Sequence, residues 1–186
     1  MLHHLSWEIF QSSKFDLLDE VEIIIWGHSI GAGFTVLSLQ KALDIFERDV
    51  AGAHIRVHIR LVLETPFVNT RSVLHELYPQ RWLPYRYLGP FLKTKLDMAR
   101  ALEGLTLDQL KRVNLISVHI IAAGDDEILG APKGLPAQVH QLMQAKLGSQ
   151  GAYVTFDDIK GLHASLLTMT SFQSRLAQRL TEKGAS

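Results

Sequence analysis

The chain has 186 residues, 47% of them apolar and 20% charged, which suits one domain with its own core and excludes a disordered or fibrous chain. Nineteen basic residues balance nineteen acidic ones, so no surplus of positive charge points to nucleic acid as a partner. No cysteine occurs, which excludes disulfides and thiolate metal sites, and no apolar run reaches the ~20 residues of a membrane span.

The start, Met1-Leu2-His3-His4-Leu5-Ser6-Trp7-Glu8, lacks the basic region and long apolar stretch of a signal peptide. Residues 2–13 read as part of a helix, with Leu2, Leu5, Ile9 and Phe10 on one side. Val21–Trp26 is an apolar, β-branched run and reads as a buried strand. Ile30–Arg48 follows as a helix, with Phe34, Val36, Leu37, Leu39, Leu43 and Phe46 at helical spacing. Ile55–Leu63 is a second strand, stopped by Pro66. Residues 67–107 differ in character, being rich in proline and aromatic residues. Val113–Ala123 reads as a third strand, Pro136–Leu147 as a helix, Tyr153–Ile159 as a fourth strand and Ser165–Glu182 as a final helix. Asp157 and Asp158 read as a solvated turn. Strands alternating with helices predict an α/β domain with a mainly parallel sheet.

Between the first strand and its helix lies Gly27-His28-Ser29-Ile30-Gly31. A G-x-S-x-G run at a strand-to-helix turn is the pattern of a nucleophile elbow. The turn is sharp, so Gly27 and Gly31 are expected to relieve crowding beside the strand and the helix, and Gly33 to let the helix pack closely. The serine would stand at the sheet edge, near a helix N-terminus where the Ile30 N–H could meet a developing oxyanion. A glycine-rich turn without chemistry is the bland alternative.

A serine nucleophile needs a base, and the base an orienting acid. In parallel sheets such groups sit on loops at the carboxyl ends of strands. The third strand ends at Gly124-Asp125-Asp126, and the fourth is followed by Gly161-Leu162-His163. The order Ser29, Asp126, His163 is that of the α/β-hydrolases. His28, beside the serine, reads as shaping the elbow, and Glu64 as a hydrogen-bonding group among loops, although some hydrolases take their acid from that position. His54, His58, His119 and His140 are weaker candidates. His3 and His4 have no metal spacing to a carboxylate, so no metal and no cofactor are expected.

These segments, with Leu63-Glu64-Thr65-Pro66-Phe67 and Tyr78-Pro79-Gln80-Arg81-Trp82-Leu83-Pro84-Tyr85-Arg86-Tyr87, resemble the α/β-hydrolase superfamily. The resemblance extends to its lysophospholipid and monoacylglycerol lipase group and fungal relatives, and runs from about residue 20 across nearly the whole chain. It implies an incomplete α/β-hydrolase fold of about four parallel strands with flanking helices, formed by residues 1–186 as one truncated domain, with residues 67–107 as a helical cap. It further implies Ser29 as nucleophile, Asp126 rather than Asp125 as acid, His163 as base and the Ile30 N–H as an oxyanion donor. The implied reaction is hydrolysis of a carboxylic ester, lipid-like in character. A peptidase or thioesterase with the same triad, and a catalytically inactive fragment or interaction module, are the alternatives.

Family members are often membrane-associated. Between Arg71 and Arg100 six basic residues stand against Glu76 and Asp97, among Tyr78, Trp82, Tyr85, Tyr87 and Phe91. This segment reads either as a basic-rimmed lid touching a membrane surface or as an insertion that packs its aromatics inward. Only residues 1–20 precede Val21, where the family carries further strands and a second oxyanion donor. The resemblance therefore places the elbow strand at a sheet edge open to pairing with another chain.

Overall fold

The computed structural model describes residues 20–50, 56–80, 82–87, 91, 95–105, 108, 110, 114–130 and 134–181. The helix expected over residues 2–13, His3, His4, His54 and parts of the 67–107 segment lie outside them. Four β-branched apolar runs form strands β1 (Glu20–His28), β2 (Arg56–Glu64), β3 (Leu115–Ala123) and β4 (Tyr153–Ile159). All pair in parallel, in the order β1-β2-β3-β4, with helices against the sheet. Among the described residues this makes an α/β fold of four parallel strands, with β1 at one edge. The interior strands β2 and β3 are buried along nearly their whole length, whereas β1 alternates between exposed and half-buried positions. That contrast is what an interior and an edge position demand of a parallel sheet.

Helix α1 (Ile30–Val50) and helix α4 (Leu135–Lys146) contribute Val36, Leu39, Leu43, Val139 and Met143 to one core. There they join Val57, Ile59, Leu61, Leu63, Val118 and Ile120. In the 67–107 segment, α2 (Thr70–Leu77) and α3 (Met98–Glu103) are capped by Asn69, whose Oδ1 accepts from Ser72 N (2.9 Å), and by Asp97, whose Oδ1 accepts from Arg100 N (3.1 Å). Side-chain acceptors at these positions satisfy N–H groups that the first helical turn leaves over. The caps also meet each other in an isolated antiparallel bridge between Asn69 and Asp97.

The opposite face of the sheet is covered by α5 (Thr170–Thr181), whose Phe172 joins Val62, Ile121, Ala123, Ile159 and Leu166 in a second cluster. The single helix expected over Ser165–Glu182 is divided: a 3₁₀ turn spans Leu166–Thr168, and Met169 is extended before α5 begins. Leu166 and Phe172 are both fully buried. Six positions apart, they would stand about 120° apart on one continuous α-helix, and the break turns both inward.

Asp157 and Asp158 form no solvated turn. Both lie within β4, and Asp157 is buried. It accepts two hydrogen bonds from Arg179 of α5, from Nε at 2.7 Å and Nη2 at 2.8 Å. Alternation along a strand aims it at the face covered by α5, and Asp158 at the other face.

Candidate active site

The parallel sheet carries the ends of all four strands to one edge. At the end of β1 the backbone turns directly into α1, and Ser29 between them has φ 51°. Such a conformation is costly for a residue with a Cβ. The Ser29 N–H donates to the Glu64 carbonyl (2.8 Å), and its carbonyl accepts from Ala32 N (3.0 Å). Ile30 is the first residue of α1, so its N–H is one of those without an intrahelical acceptor.

The glycines of this turn are unequal. A Cβ on Gly27 would stand 2.5 Å from Thr35 Oγ1 and 2.6 Å from both Ala32 Cα and the Gly31 carbonyl oxygen, so only glycine fits. A Cβ on Gly33 would stand 3.1 Å from Leu96 Cδ1, so Gly33 lets α1 approach the 67–107 segment. Among the described residues, a Cβ on Gly31 would meet nothing within 4 Å. The crowding expected at Gly31 is not found among the described residues.

The loops after β3 and β4 meet above the sheet. Gly124 N donates to the Ile159 carbonyl (2.7 Å) and Asp125 N to the Gly161 carbonyl (3.0 Å). Within this frame His163 Nδ1 lies 2.8 Å from Asp126 Oδ2, and both residues are buried. The other Asp126 oxygen, Oδ1, accepts from Ile128 N (2.9 Å) and Leu129 N (2.6 Å). Leu129 is itself sunk among Phe67, Leu96 and Leu135, which locks the carboxylate against the rest of the fold. Burial pushes the Asp126 carboxyl up. The hydrogen bond from His163, those from Leu129 and Ile128, and the attraction of His163 outweigh burial and hold it below its ordinary value. With Nδ1–H donating to the carboxylate, a neutral His163 carries its lone pair at Nε2. Asp125, the other candidate acid, is exposed and contacts His163 in no hydrogen bond.

The structure brings Asp126 and His163 together and sets Ser29 at the same edge, but joins the Ser29 hydroxyl to His163 by no hydrogen bond. His28, the residue before Ser29, adjoins His163. Its Nε2 lies 3.0 Å from the His163 carbonyl oxygen, and the two rings are 5.0 Å apart. Three further groups escape a reading of the sequence. Glu127 Oε2 accepts from His163 N (2.9 Å). Trp26 Nε1 donates to Glu64 Oε2 (3.1 Å) while its ring stacks on Phe172, with centroids 5.8 Å apart. Thr65, also at positive φ (44°), follows Glu64 and donates its N–H to the Ile121 carbonyl (2.7 Å). Only the hydrogen-bonding role of Glu64 was legible, from its place after β2. Burial raises the Glu64 carboxyl above its ordinary value, against the opposing pull of His28, the Trp26 hydrogen bond and His163. His119 is remote from the edge groups and lies between Ser117 Oγ and Thr155 Oγ1, 2.9 Å from each.

Among the described residues no group of three or more His, Cys, Asp or Glu could hold a metal ion, and no helix is long and apolar enough to cross a membrane. Fold and site together define a parallel α/β protein whose strand ends gather a strained serine and a buried aspartate–histidine pair. No family model matches the chain, and no curated protein does. Among solved structures it is similar to the esterase Pf2001 of Pyrococcus furiosus, with 13% identity over 88% of this chain and 54% of the other and a TM-score of 0.48. It is also similar to EstE1, a thermophilic and thermostable carboxylesterase cloned from a metagenomic library, with 16% identity over 96% and 59% and a TM-score of 0.42. The chain spans less than two thirds of the length of either esterase.

Proposed function

We propose that this chain carries the reacting groups of a serine hydrolase for carboxylic esters. The observation behind this reading is the buried Asp126–His163 pair at the edge where Ser29 is held at positive φ. In the proposed reaction Ser29 Oγ attacks the ester carbonyl carbon as its proton passes to His163 Nε2. The Asp126 carboxylate stabilises the imidazolium, and the Ile30 N–H donates to the oxyanion. Collapse of the tetrahedral intermediate releases the alcohol, which takes the proton from His163. Water, activated by the same histidine, then frees the acid from the acyl-enzyme.

A lipid-like ester, such as a monoacylglycerol or lysophospholipid, is the substrate class we favour. Trp82 and Phe91, both 80% exposed, and the exposed Leu77 and Tyr87 give the 67–107 segment apolar surface suited to an acyl chain. A catalytically inactive chain is the second reading, favoured by the unjoined Ser29 hydroxyl and His163. Reaction with a fluorophosphonate probe separates the two. The hydrolase reading expects covalent labelling that Ser29→Ala abolishes and His163→Ala slows at least a hundredfold. A folded chain whose labelling or ester turnover survives Ser29→Ala overturns it.

A further inference from the structure

We infer that Glu64 is a positioning residue of this site: a buried counter-charge to the His28–His163 pair, on the strand end whose carbonyl fixes Ser29. The inference rests on the hydrolase reading for its catalytic meaning. Its geometry comes from the sheet. His28 and Glu64 are register partners on β1 and β2, so their side chains leave the same face of the sheet on adjacent strands, which lie about 5 Å apart. The His28 ring is 5.0 Å from the His163 ring. Glu64 is 1% exposed, and its carboxylate accepts the Trp26 indole N–H, which fixes the side chain without neutralising it. Its own carbonyl accepts the Ser29 N–H at 2.8 Å. The strained Thr65 that follows, tied to the Ile121 carbonyl, sets the direction of that strand end. One residue therefore aims the nucleophile's backbone and supplies negative charge beside the histidines.

The charged groups around the pair come from every element that faces it. Glu64 comes from β2, and Asp126 and Glu127 from the loop after β3. Asp157 of β4, level with Glu64 two strands away, is engaged by Arg179 of α5. On β1 itself the neighbour is Trp26, which meets Phe172 of α5. Asp126 already orients His163 through Nδ1. Glu64 acts at longer range, on whichever ring of the pair carries the proton, and burial strengthens that attraction because less water screens it. The same burial makes Glu64 the first of the two site carboxylates to protonate as pH falls, since Asp126 is held low.

The test is Glu64→Gln, which keeps an acceptor oxygen for Trp26 and the backbone carbonyl for Ser29 but removes the charge. By NMR, the pH-dependent changes of the His28 and His163 ring signals are expected to move to lower pH in the variant than in the parent chain, because a nearby negative charge is gone. Fluorophosphonate labelling of Ser29 is expected to slow about threefold to tenfold. Unchanged ring titrations in a folded variant overturn the inference. Should the variant fail to fold, the parent chain is read directly. The His28 and His163 ring shifts must then carry an inflection where the Glu64 side-chain carboxyl carbon titrates, and its absence overturns the inference equally. The two readings fail differently. Parent chain that never labels overturns the hydrolase reading while the titrations still report on Glu64, whereas normal labelling with unmoved titrations removes Glu64 alone.

Discussion

The two faces of the sheet are built on different principles. The face under α1 and α4 is a continuous apolar layer, with Ile23, Ile25, Ile59, Leu61, Leu63, Val118 and Ile120 packed on helix side chains. The face under α5 carries polar groups on all four strands, several of them paired across strands. Arg60 Nε donates to Glu22 Oε1 (2.6 Å) and Arg60 Nη1 to Ser117 Oγ (3.3 Å), and His119 links Ser117 to Thr155. Nearer the strand ends come Trp26 with Glu64 and Arg179 with Asp157. Hydrophobic burial is non-directional and tolerates repacking, whereas buried polar groups stabilise only when every partner is in place. The polar face thus ties register to function, because the groups that fix the strands relative to each other continue into the site at the strand ends.

Breaking the apolar face should give the largest loss. Leu61 is fully buried in the middle of β2, and Leu61→Ala should lower unfolding free energy by about 3–4 kcal/mol through lost transfer energy and a residual cavity. Chemical denaturation with an unchanged denaturant slope measures it. On the polar face Arg179→Ala leaves Asp157 buried, with Arg175 at 3.7 Å. A loss of about 2 kcal/mol is expected, less than for a fully buried pair because Arg179 is partly solvated. If Arg179→Ala costs nothing, the polar face is not held by its pairs and the contrast between faces fails.

The site carboxylates should show opposite pH dependences. Glu64 is raised above 4.5 by burial. Its stabilising contribution is fully present below pH 4.5 and is lost as pH rises through its folded value. Glu64→Gln should therefore be more stable than the parent chain near neutral pH, an advantage that disappears on acidification. Asp126 is held below 3.8. It stabilises above pH 3.8, and that stabilisation is lost as pH falls through its folded value, a loss that Asp126→Asn should not show. Denaturation midpoints measured from pH 3 to 7 on the three chains separate the two signs. At the small end, Gly31→Ala meets no atom of the described residues and gains helix propensity, so it should be neutral or stabilising by up to about 1 kcal/mol. Gly27→Ala meets backbone at 2.6 Å and should cost about 3 kcal/mol. Equal effects at the two glycines would contradict the geometry of the turn.

The four strands, their parallel order and the turn at Ser29 were legible because they follow from local sequence: apolar β-branched runs, alternation with helices, and glycine two residues before a serine between strand and helix. Chain position also predicted that Asp126 and His163 would fall on loops at one sheet edge, since every strand of a parallel sheet ends there. What only tertiary structure decided depends on which residues become lateral neighbours. The sequence already preferred Asp126 to Asp125, and the tertiary structure supplied what holds the Asp126–His163 pair, the loop anchored by Leu129. Glu64 became a neighbour of His28 and Trp26 through the β1–β2 register. Asp157 was drawn out of an expected turn by Arg179, 22 positions away in α5, and the break at Met169 followed from burying both Leu166 and Phe172. A sequence records which way a side chain can alternate along its own strand. It does not record which residue of the next strand stands beside it, and that register is fixed by the core as a whole.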